Sequence, residues 1–149
     1  MRKTQDAIDF LDQLRKLDLM IQNKLVEKEQ WMNIASGVSA QVIGERVQST
    51  PNLHKMETAV CRYVEIENEI NRRIDELIDK RMEVLEVIEK LPATEYDLIH
   101  KKYVSYIELD EIAMIAGKSY SWATSTHGRA LAKVQQILND RKEQTNGGN

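Results

Sequence analysis

The feature that most restricts how this chain can fold is an apolar stripe on one long, highly charged segment. Across residues 52–91, Val60, Tyr63, Ile70, Ile74, Leu77, Val84, Ile88 and Leu91 recur in steps of three and four, with Glu67 and Arg81 completing the series. A repeat of this kind, held over several heptads, keeps one seam on one face of an α-helix and is a coiled-coil signature. Ile66, Ile78 and Leu85 widen the stripe and provide for more than one partner helix. Thr50 as N-cap and Pro51 at the first helical position supply the start of a helix running from about Asn52 to Lys90. The outward pairs Glu69/Arg73, Glu76/Lys80 and Glu86/Lys90 stand four apart with the acid first, a mildly stabilising order on a solvated face.

A partner for this seam lies upstream. From Asp6 to Ala35, Phe10, Leu14, Leu17, Ile21, Leu25 and Met32 repeat with helical period, and Trp31 falls in the core of the pair or at its apex. Residues 36–52 are rich in Gly and small hydroxyl residues and read as an irregular connection, with a short helical turn around Val42 to Val47. Folding the first helix back along the second gives an antiparallel hairpin. The leftover apolar width then favours self-association, a dimer first, with Glu67 and Arg81 as candidates for fixing its register.

Pro92 cannot continue the long helix, and Thr94 with Asp97 resembles a capping box that starts a new one. Three short helices are expected after it. The first covers about Glu95 to Val104 and offers Leu98, Ile99 and Tyr103 inward. The second, ELDEIAMIAG, has Leu109, Ile112, Ala113 and Ile115 as its apolar set and ends where Gly117 can take a left-handed C-cap. Ser119 then caps the third. Two helices joined by so short a turn containing Gly form a helix-turn-helix. The chain is therefore read as all-α: a long antiparallel helical hairpin or coiled coil over 1–91, a C-terminal helix-turn-helix unit over 92–142, and a disordered tail over 143–149.

The third helix has an unusual composition, SYSWATSTHGRAL. At about 100° per residue, Ala123, His127, Ala130, Val134 and Ile137 share the core side. Ser121, Ser125, Gly128 and Ala132 share the opposite side, flanked by Thr124, Trp122 and Arg129. An ordinary solvent face would carry Glu and Lys. Small outward residues let a helix backbone approach base edges in a DNA major groove, where Ser and Thr hydroxyls can donate or accept and a Thr methyl can meet thymine. The N-terminal turn normally meets the bases, which selects Tyr120, Ser121, Thr124 and Ser125. Lys118, Arg129 and Lys133 are the candidate phosphate contacts. Gly128 has an alternative reading as relief of a steric contact. Trp122 stands between two readings, a cap over the unit's own core or a residue facing DNA.

Charge, cysteine and motif content exclude other classes. The net charge of the 149 residues is −3, so no overall basic character marks a nucleic-acid binder and the case rests on local charge. From Ser119 to Lys142 there are four basic residues and one acid. With so few cations, affinity independent of sequence should be modest. Cys61 is the single cysteine, which fits a reducing compartment. His54, His100 and His127 have no metal-ligand spacing with it, and no phosphate-binding Gly loop or nucleophile motif appears, so neither a metal, a cofactor nor catalysis is expected. No apolar run suits a membrane span, and MRKTQDAIDF turns acidic before any apolar stretch of a signal peptide. A cytoplasmic location is expected.

The stretch LPATEYDLIHKKYVSYIELDEIAMIAGKSYSWATSTHGRALAKVQQIL resembles the DNA-binding region 4 of sigma-70-type factors. Leu98, Lys102-Tyr103, Glu111-Ile112-Ala113, Gly117, Ser119 and Ala130-Leu131 occupy the places of that pattern. The order of coil, VQST, long coil, YSW and HGRAL is similar to the RinA-type late-gene transcription activators of phages. The resemblance implies binding to double-stranded promoter or operator DNA and cooperation with host RNA polymerase at late phage or prophage genes. It also implies that Ser119, Tyr120, Ser121, Trp122, Thr124 and Ser125 open the recognition helix, with Arg129 and Lys133 on its DNA side. Sigma factors commonly carry Arg in the first turns of this helix, where this chain has Tyr, Ser, Trp and Thr, and no aromatic-rich DNA-melting segment is present. Two alternatives stand beside it: a small terminase-like packaging protein, and a helical scaffold or polymerase-binding protein without DNA readout.

Overall fold

The computed structural model describes residues 3–37 and 53–147. Among them are the helices α1 (Gln5–Ala35), α2 (Leu53–Ile88), α3 (Ala93–Ile99), α4 (Leu109–Ala116) and α5 (Tyr120–Asn146), with a π-helical turn at His100–Val104 directly after α3 and no strand. The chain is all-α, as its periodicities require. None of these helices is long and apolar enough to cross a membrane. Thr50, Pro51 and the turn expected around Val42 to Val47 lie outside the described residues.

The chain divides into two compact units, one drawn from Met1–Lys16 and Ile78–Asn149, the other from Leu17–Leu77. This differs from the boundary expected at residues 91 and 92. Pro92 interrupts backbone hydrogen bonding but leaves side-chain packing on either side in place. Val84, Val87, Ile88 and Leu91 before it are buried within the first unit, as are Leu98 and Ile99 after it. The helices α3, α4 and α5 share this unit with the end of α2 and the start of α1. Ala7, Phe10, Leu11 and Leu14 of α1 are buried in the same unit. The Ala7 amide, one of the α1 first-turn donors with no partner inside the helix, donates to Gln135 Oε1 at 2.9 Å. Residues 143–146, expected in a disordered tail, continue α5. Adding residues to a long helix is cheap once its nucleus is formed, and the Thr145 hydroxyl bonds back to Arg141 O at 3.0 Å.

In the second unit, Ile21 of α1 and Ile66 and Ile70 of α2 form a buried cluster, with Trp31 and Leu77 packed against it. Lys24 pairs with Glu69 at 2.8 Å and Lys28 with Glu67 at 3.6 Å, an order in which one helix ascends as the other descends. That order is compatible with the antiparallel hairpin. Lys28 also lies 5.2 Å from the Tyr63 ring, and Arg62 lies 5.9 Å from that of Trp31.

The contact line differs from the expected seam. Ala59, Ile66 and Ile70 are buried and Leu77 half-buried, whereas Val60 and Ile74 are 49% and 38% exposed. Ala59, Ile66, Ile70 and Leu77 stand seven, four and seven residues apart, so burial keeps a heptad spacing, and the row that begins at Ala59 takes the place of the row that begins at Val60. Leu25 and Met32 of α1 are likewise exposed. The acid-first pairs give way to others: Glu69 is taken by Lys24, while Arg73 reaches Glu76 at 3.0 Å and Lys80 reaches Glu83 at 3.4 Å, each three residues away.

Candidate nucleic-acid interface

The turn between α4 and α5 is set by two adjacent residues with opposite roles. Gly117 adopts φ 67° and ψ 32°, the left-handed region, and its amide and that of Lys118 bond back to the last carbonyls of α4. Ser119 is extended, and its hydroxyl accepts from the Trp122 amide at 3.0 Å. One helix therefore stops and the next starts across residues 117–119. The helix before them departs from expectation. Pro92, at ψ 152°, is already the N-cap of α3, so the chain turns helical at Ala93 and no capping box forms at Thr94. From His100 the hydrogen bonds widen to the π pattern, and Tyr106 at φ 59° closes the turn with Ile107 N bonded to Lys101 O at 2.9 Å.

On α5 the buried face comprises Ala123, Thr126, Ala130, Leu131 and Val134, opposite Ile112 and Ala113 of α4 within the same unit. His127 is half-buried on this side, where its Nε2 lies 2.7 Å from the Tyr103 hydroxyl and the two rings stack at 5.7 Å. Burial, with a smaller contribution from Lys102, lowers the His127 pKa to about 4, so the imidazole is neutral near pH 7. Burial also raises the Tyr103 phenol above its ordinary value. Ile115, expected inside, is 58% exposed and stands with Met114 at 80% and Tyr120 at 59%. With only eight residues in α4, Ile112 and Ala113 occupy its contact with α5, and residues 114–116 project past it.

The opposite face of α5 is small and open. Ser121, Thr124, Ser125, Gly128 and Ala132 are exposed, and Trp122 is half-buried. The Thr124 hydroxyl donates to Ser121 O at 3.0 Å, which leaves its oxygen free to accept. A methyl group built on Gly128 would meet nothing within 4 Å. Packing inside the protein therefore gives no reason for a glycine there, and the steric-relief reading falls away. In mid-helix it costs roughly 0.5–1 kcal/mol relative to Ala.

The cations are disposed less openly than the sequence suggests. Lys118 is exposed and makes no ion pair among the described residues. Lys133 instead sits astride the carboxylate of Glu95 on α3, with Nζ 2.9 Å from Oε1 and 2.8 Å from Oε2. Arg129 directs Nε to the same carboxylate at 3.9 Å and donates to the Thr126 hydroxyl at 3.2 Å. The Glu95 side chain is only 10% exposed, while those of Arg129 and Lys133 are 59% and 48% exposed. Of the expected site residues, Lys118 to Ser125 lie on the turn and first turns of α5, and Arg129 and Lys133 follow along the helix toward α3. Glu95 was not anticipated. Its signal is that it precedes Leu98, Ile99 and Tyr103 by three, four and eight residues, so it occupies the first place of a buried stripe. A carboxylate there needs a cation from a neighbouring helix.

No group of His, Cys, Asp and Glu among the described residues could hold a metal ion. No protein-family model, curated protein or solved structure matches this chain.

Proposed function

We propose that this protein is a sequence-specific DNA-binding transcription regulator that lays the first turns of α5 in the major groove. Gly128 carries the reading. It is an exposed mid-helix glycine with open space above it, on a face otherwise made of Ser, Thr and Ala. Such a surface is poor for helix stability and gains nothing from internal packing, but it suits close approach by a double helix. Tyr120, Ser121, Thr124 and Ser125 would meet base edges, with Trp122 at the margin, and Lys118 and the Ser119 end of α5 would meet phosphates. Arg129 and Lys133 can reach the backbone only in competition with Glu95. The resemblance to sigma region 4 and to RinA-type activators narrows the proposal to phage or prophage late genes, with host RNA polymerase as partner. The exposed Val60, Val64 and Ile74 of the second unit support association of two copies.

Nuclease footprinting across the genomic neighbourhood of the gene, with and without host polymerase at fixed salt, tests this reading. A discrete protected site is expected, lost on Ser125→Glu, which places a negative charge against the bases. Protection that survives Ser125→Glu would remove α5 from the DNA.

One observation favours a second reading, protein binding at the same end of the unit. Met114, Ile115 and Tyr120 form an apolar outcrop beside the turn, and Met and Tyr are enriched in interface cores. Polymerase binding without any footprint, abolished by Met114→Glu, would favour it.

A further inference from the structure

We infer that Glu95 restrains the phosphate-binding capacity of α5 by holding the charges of Lys133 and Arg129 against the protein. The inference rests on the reading that α5 binds DNA and adds what limits that binding. Three observations carry it. The carboxylate is almost fully buried, so it cannot turn to water for solvation and must keep a cation. Lys133 contacts both of its oxygens at 2.8–2.9 Å, and Arg129 approaches from the next turn of the same helix. These two cations make up the whole positive charge of α5 between Tyr120 and Asp140, and Lys118 is the one cation at the turn without such a partner.

The consequence is selective. Contacts to phosphate oxygens strengthen binding to any sequence, whereas contacts from Ser121, Thr124 and Ser125 depend on the bases. A fixed anion beneath the helix subtracts from the first kind and leaves the second alone. It lowers general affinity and raises the ratio of specific to general binding. A lysine that leaves Glu95 for a phosphate strands a buried carboxylate, so each such contact is won at the expense of an existing one.

The test compares wild type with Glu95→Gln, which keeps the shape, and Glu95→Met, which suits a buried site because an apolar replacement for a buried ion pair is often tolerated. Binding to a short random-sequence duplex is measured against salt concentration. Each phosphate contact adds about 0.9 to the slope of log affinity against log salt, so both variants should steepen that slope by about 1 to 2. Adding Lys133→Gln to Glu95→Gln should take back about half of the gain. Equal slopes in wild type and both variants, with wild type still protecting its specific site, would overturn the restraint while leaving DNA binding intact. Failure of every form to bind any duplex would overturn the DNA reading and the restraint with it. Amine acylation of the wild-type protein, read by mass spectrometry, needs no variant to fold. Lys133 should react more slowly than Lys118, and equal rates would also overturn the inference.

Discussion

Gly128 and His127 are neighbours on α5 that answer to different demands, one facing outward and one inward. Replacing Gly128 by Ala adds a methyl in open space on a helix and should stabilise the protein by about 0.5–1 kcal/mol. A thermal melt checks this, and a lower Tm would mean that Gly128 is needed by the fold itself. If the DNA reading is correct, the same substitution weakens binding, so stability and affinity move in opposite directions. His127 gives a pH signature. Its folded pKa of about 4 lies below the ordinary 6.5, so the unfolded chain takes up the proton first as pH falls. The stability it contributes is complete above pH 6.5 and declines as the pH drops toward 4, by about 1–2 kcal/mol after allowing for its partial contact with water. Melts of wild type and His127→Gln across this window should converge at low pH, and parallel curves would discount the effect. The inward place of His127 was readable because residues 123, 127, 130 and 134 share one side of a helical wheel. Glu95 was hidden because its partners lie 34 and 38 residues away, and no local pattern connects them.

Helices were more readable than their seams. Gly117 and Ser119 act through their own backbone or hydroxyl, so sequence alone places the end of α4 and the start of α5. Ser119→Ala should cost about 1 kcal/mol. Gly117→Ala should cost about 1–2 kcal/mol for the left-handed backbone alone, since no atom lies near enough to clash. Chemical denaturation measures both, and a neutral Gly117→Ala would show that the turn can be rebuilt. The start of α3 was misplaced by one candidate cap because the ψ of Pro92 had already turned the chain. The seam of α2 keeps its heptad spacing but turns the row beginning at Ala59 inward in place of the adjacent row beginning at Val60. Which of two adjacent rows turns inward depends on the packing partner, which a single sequence does not display.

For the whole molecule, the boundary between units follows burial rather than proline. The first unit takes the start of α1 and the end of α2 into one core with α3, α4 and α5. Among its described residues the second unit has few fully buried side chains and leaves Leu19, Leu25, Val26, Val60, Val64 and Ile74 between 38% and 56% exposed. A second copy is the proposed cover. Light scattering should give a mass above that of one chain, reduced toward it by Val64→Lys with the helical signal retained. An unchanged mass in that variant would take this face out of the association.

The bond from the Ala7 amide to Gln135 Oε1 joins residues 128 apart in the chain. It ties the pace of folding to the pace of synthesis. The opening turns of α1 leave the ribosome before their hydrogen-bonding partner is made, which takes more than a hundred further residues. Until then Phe10, Leu11 and Leu14 lack the packing they have in the finished unit. Contacts between segments so far apart slow folding and prolong the exposure of apolar surface. The first unit draws on segments before and after the second in the chain, so during synthesis it cannot be completed until every residue of the second has been made.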